Sequence, residues 1–64
     1  MIDRDIWITA NALIKLHGDD AAIHAAMRAD ALADQDNADG YLVWRRVVAA
    51  IRELESVEPG GLVN

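Results

Sequence analysis

The chain has 64 residues, 53% of them hydrophobic, with no cysteine, one proline and four glycines. Eleven acidic against six basic side chains give a formal charge of −5. This length accommodates one small domain at most, and disulfides and cysteine zinc sites are excluded. The acidic balance opposes nucleic-acid binding, which needs cations to displace the counterions condensed on phosphate.

Helical periodicity begins at once. Ile2, Ile6, Ala10, Leu13 and His17 recur at spacings of three and four, and Trp7 and Ile14 widen the stripe. The pattern predicts a helix over 3–17, with Asp3 and Asp5 suiting its positive end and Lys15 and His17 its negative end. Gly18 follows, the residue type that takes a left-handed backbone after a helix. Asp19 then stands where an N-cap is wanted.

A second helix is predicted over 20–34. It holds seven alanines, with Ile23, Met27 and Leu32 as its larger anchors. Alanine favours helix and lets a neighbour approach closely, which suits a thin central helix. The polar stretch 34–40 breaks the pattern, and Asn37 or Asp36 can cap a third helix over 38–57. Tyr41, Trp44, Val47, Val48, Ile51 and Leu54 form its apolar stripe, Glu58-Pro59-Gly60-Gly61 ends it, and 59–64 is expected to be a flexible tail. No strand alternation is visible. The expected fold is all-α, a small antiparallel three-helix bundle over 1–58.

Charge is uneven along the chain. Residues 1–40 hold eight of the acids and three of the bases, whereas 41–64 hold three of each. The start lacks a basic segment followed by a long apolar run, so no signal peptide is expected, and no apolar stretch is long enough to span a bilayer. A cytoplasmic protein is the default expectation.

Several residues interrupt the patterns. His17 projects onto the apolar stripe of the first helix, and Asp30 projects beside Ile23, Met27 and Ala26 at the edge of the second helix's expected buried arc. Both are therefore candidate buried polar groups. A half-buried His17 capping the helix end through a local bond is the expected arrangement, and Arg45, Arg46, His17 or a tryptophan N–H would satisfy Asp30.

His17, Asp20 and His24 have metal-ligand side chains, with Asp20 and His24 four apart. A zinc site needs three or four such ligands with supporting partners, and two helix-start aspartates account for the same letters. The stretch 34–45 begins like a calcium loop but has Ala38, Asp39 and Arg45 at positions 5, 6 and 12, so the match fails. No phosphate-binding glycine loop, nucleophile elbow or cofactor motif occurs, so neither enzymatic activity nor a cofactor is expected. Ile8 projects among Arg4, Asn11 and Lys15, and Leu42 among Arg46 and Glu53. These two apolar residues on polar faces are the interface candidates.

The set Asp5-x-Trp7, Leu13, His17-Gly18-Asp19-Asp20-Ala21, Arg28-Ala29-Asp30, Gly40, Val43-Trp44-Arg45-Arg46-Val47 and Ala50-Ile51-x-Glu53-Leu54 is similar to a family of short, uncharacterised bacterial proteins, a domain of unknown function. The resemblance covers roughly 5–54. It implies a small, intracellular, all-helical protein and carries over no activity, ligand or catalytic residue.

Three functions follow as expectations. The first is a non-catalytic interaction module that binds another protein or itself as a homodimer, since self-association supplies core that so short a chain lacks. The second is a ligand- or metal-binding regulator using His17, Asp20 and His24. The third is an acidic mimic of nucleic acid that occupies a basic partner, motivated by six acids against one base over 19–39.

Overall fold

The computed structural model describes residues 3–56, and this part of the chain is all-α. Its elements are α1 (Asp3–His17), a 3-10 turn (Gly18–Asp20), α2 (Ala21–Asp34) and α3 (Ala38–Ser56). Ile2, Val57 and the stretch 58–64 lie outside the described residues.

At the first join the structure departs from the sequence expectation. A helix capped by Asp19 and starting at residue 20 is replaced by a tight turn, and α2 begins at Ala21. Neither His17 before the turn nor Asp20 before α2 makes a side-chain capping bond. Backbone geometry gives the reason. His17 (φ −117°, ψ −9°) and Asp20 (φ −90°, ψ 2°) stay close to helical geometry, whereas a capping residue needs an extended backbone to aim its oxygen at the next turn's N–H groups. Gly18 supplies the reversal with φ +58°. A Cβ there would meet nothing within 4 Å, so what the position demands of its residue is backbone freedom rather than space.

The second join is set by hydrogen bonds. The N–H of Asn37 donates to the Leu32 carbonyl (2.9 Å) and that of Asp36 to the Ala33 carbonyl (3.1 Å). This pair closes the end of α2 in the manner of a Schellman motif, with Asp36 left-handed at φ +59°. Asn37 then starts the next helix, its Oδ1 accepting from the Gly40 N–H at 2.9 Å. One residue thus both completes the end of α2 and caps α3.

Because glycine holds a left-handed backbone without Cβ strain, Asp36→Gly is expected to raise stability by roughly 0.5–1 kcal/mol. Asp36→Ala, which keeps the Cβ and loses the short polar side chain that tolerates this conformation, is expected to lower it. Urea unfolding followed by circular dichroism checks both.

The interior is thin. Ile6, Ala10, Ala21, Ala25, Val47, Val48, Ala50 and Ile51 form one buried cluster, with Leu13, Ile14, Ala22, Ala26, Trp44 and Leu54 packed partly against it. Ala21, Ala25 and Ala29, four apart along α2, are wholly inaccessible, and α3 supplies the largest fully buried side chains, Ile51, Val47 and Val48. An alanine stripe at this spacing presents a smooth ridge, so α3 can lie close against it. Of the three helix pairs, α2 and α3 make the most extensive contact and α1 and α2 the least. An exposed ion pair between Arg46 and Asp3 ties the start of α1 to α3.

Candidate interaction surface

The alanine stripe decides which residues face outward. With Ala21, Ala25 and Ala29 turned inward, Ile23 and Met27 lie on the opposite side of α2, at about 100° of rotation per residue. They are 59% and 61% exposed. The expectation that they anchor α2 in the core is therefore wrong. Leu32 alone of the three is buried.

Asp30 moves with them. It is exposed rather than buried, because it shares the outward side of α2 with Ile23 and Met27. Water solvates its carboxylate, and the partners expected for it are not needed. No polar or charged side chain is buried among the described residues.

His17 is half-buried, as expected of a histidine at the helix end, but makes no side-chain capping bond there. Its ring stacks on that of exposed His24, with centroids 3.7 Å apart and planes 17° from parallel. The 3-10 turn makes this possible by carrying the chain back so that the first turn of α2 lies beside the last turn of α1. Asp20 is exposed at the end of that turn. Imidazole lone pairs lie in the ring plane, so two nearly parallel stacked rings do not aim their nitrogens at a common point. A metal site needs that convergence. Among the described residues no group of three or more metal-ligating side chains is placed to hold an ion.

Ile8 and Leu42 are 57% and 59% exposed. Leu16, at 77%, is the most exposed of the large apolar residues, and Trp7 is also exposed. Ile8, Ala12 and Leu16 stand four apart and so form one strip along α1. Sequence reasoning missed Leu16, Ile23 and Met27. The signal for Leu16 was its spacing from Ile8. For the α2 pair it was the choice of the alanine stripe, rather than the larger side chains, as the inward face.

On α3 an open groove of about 750 Å³ is lined by Asp39, Leu42, Val43, Arg45, Arg46 and Ala49. One helix supplies every wall, so the groove is a shallow outer surface, with an apolar floor and arginines at its edge. A second depression, of about 270 Å³, sits at the α2–α3 corner between Ala33, Asp36, Ala38 and Tyr41. Neither brings together an acid, a base and a nucleophile of the kind proton or acyl transfer requires.

No family model, curated protein or solved structure matches the chain. Among the described residues no helix is long and apolar enough to cross a membrane.

Proposed function

We propose that the protein is a non-catalytic, self-associating interaction module, built as a small antiparallel three-helix bundle. The observation that carries this reading is the inversion of apolar size between inside and outside. Half of the buried hydrophobic residues are alanines, while Trp7, Ile8, Leu16, Ile23, Met27 and Leu42 face solvent. Burial of apolar surface yields roughly 25 cal/mol per Å², so association of the outer residues offers a stabilisation that the alanine core lacks. The two short joins and the Asp3–Arg46 tie support the bundle arrangement. Membership of the family of short bacterial proteins, and the cytoplasmic setting it implies, rest on the motif residues and the cysteine-free composition alone. The stacked histidines lend the metal-binding alternative no convergent ligand set, and nothing beyond the exposure of the acids favours the nucleic-acid mimic.

Lysine substitution tests the reading. Ile8→Lys, Met27→Lys and Leu42→Lys place charge at exposed positions, where the folded monomer tolerates it to within about 0.5 kcal/mol. At least one is expected to weaken self-association tenfold or more in sedimentation velocity, with helical circular dichroism unchanged. If all three leave the association unchanged, these residues do not form the interface.

A further inference from the structure

The apolar residues that face solvent differ in the charges around them. On α1, Lys15 projects within about 20° of Ile8, and Asp5 within about 20° of Leu16. On α3, Glu53 projects within about 20° of Leu42 and Arg46 within about 40°, all of them exposed. Both helices thus set their outer apolar residues among charges of either sign. On α2 the charge beside them has one sign. Ile23 and Met27 share an arc of about 60° with Asp30 and Asp34, all four exposed. Half-buried Ala26 and Ala31 border this arc, and the one base of the helix, Arg28, lies about 100° from Met27. Exposed Asp19 and Asp20 stand just ahead of it. Among the described residues the one ion pair joins Arg46 to Asp3, so no lysine or arginine reaches Asp30 or Asp34 at that distance. Over 19–39 there are six acids and one base, and the five acids and five bases elsewhere balance. The whole net charge of −5 therefore belongs to this stretch.

We infer that the outward face of α2 docks a basic amphipathic helix belonging to another protein. Ile23 and Met27, four apart, give a short apolar ridge along the helix axis, the spacing at which a second helix sets its own apolar residues. Asp30 and Asp34 beyond the ridge and Asp19 and Asp20 ahead of it receive lysines or arginines that flank the partner's apolar stripe. Complementary charge of this kind fixes the register of the two helices and speeds their encounter. At about 1.5 Å per residue, the face from Ile23 to Asp34 runs about 17 Å, the length of about three helical turns. The complement comes from a different chain, because neither α1 nor α3 offers an apolar face of net positive charge. The inference thus goes beyond self-association. It also differs from mimicry of nucleic acid, in which the charges alone would be recognised and Ile23 and Met27 would serve no contact.

Fluorescence anisotropy on the full chain tests this with a fluorescein-labelled synthetic helix of about 12 residues, its leucines four apart on one face and lysines on either side of them. A second peptide has the same residues in scrambled order, which keeps the charge and removes the apolar face. The ordered peptide is expected to bind at least tenfold more tightly than the scrambled one, and to weaken as salt is raised. Asp30→Asn/Asp34→Asn is expected to weaken its binding at least fivefold and Ile23→Gln/Met27→Gln at least tenfold. Asp5→Asn/Glu53→Gln removes the same charge from α1 and α3 and is expected to leave binding within twofold. All six positions are exposed, and circular dichroism verifies that the variants remain helical. Equal binding of the two peptides, no loss from either α2 variant, or an equal loss from Asp5→Asn/Glu53→Gln would reduce the effect to general attraction of charge and overturn the docking face. Failure of the ordered peptide to bind more tightly than about 1 mM overturns it as well. Sedimentation of the chain without peptide reports separately on self-association, so a chain that binds the peptide but stays at 7.0 kDa loses that reading alone.

Discussion

Ile51→Ala is expected to cost about 2–5 kcal/mol, toward the upper end of what a large-to-small core substitution does. Ile51 is wholly inaccessible and among the largest fully buried side chains. The α2 wall of the core is largely alanine, so its side chains have no length with which to fill the space that Ile51 would leave. A domain of this size has a total stability of roughly 3–10 kcal/mol. Loss of this one side chain therefore lowers the melting temperature by about 10 °C or more or leaves the chain largely unfolded at 25 °C. Thermal unfolding by circular dichroism, with the combined fluorescence of Trp7 and Trp44 as a second probe, gives the result. Leu42→Ala on the outer face of the same helix is the control, with an expected change within about 0.5 kcal/mol.

Ala25→Leu is expected to destabilise for the opposite reason. In a solvent-facing helical position leucine is nearly as good as alanine. Ala25, however, is wholly inaccessible at the middle of the stripe that faces the rest of the core. Three added carbons must push α3 away or take a strained rotamer, at a cost of about 1–3 kcal/mol. Ala33→Leu, exposed on the same helix, is expected to be close to neutral. A near-neutral Ala25→Leu would mean that α2 and α3 do not approach closely, and the thin-core description would fail with it.

The helices were legible because their signals are local. The three- and four-residue spacing of Ile6, Ala10 and Leu13, Gly18 after His17, and Asn37 ahead of Gly40 each report on a few neighbouring residues. What misled was the inward face of α2. Hydrophobicity alone ranks Ile23 and Met27 above the alanines, and that ranking turns the helix by nearly half a turn, carrying Asp30 inward with them. The correct choice depends on how closely α3 can approach, which is a property of two helices and not of one segment. The Asp19 cap failed in a related way, because residue type permitted it while the chain places Asp19 inside the 3-10 turn rather than directly ahead of α2. The His17–His24 stack had no local signal at all, since it arises from the path of the turn between α1 and α2.

Sedimentation equilibrium of the unaltered chain over a wide concentration range tests the central claim most directly. A small protein with an alanine interior and large apolar side chains outside is predicted to show a weight-average mass that climbs with concentration above 7.0 kDa. A mass that stays at 7.0 kDa up to the highest concentration reached would contradict it, and would mean that the outer residues serve no contact between copies.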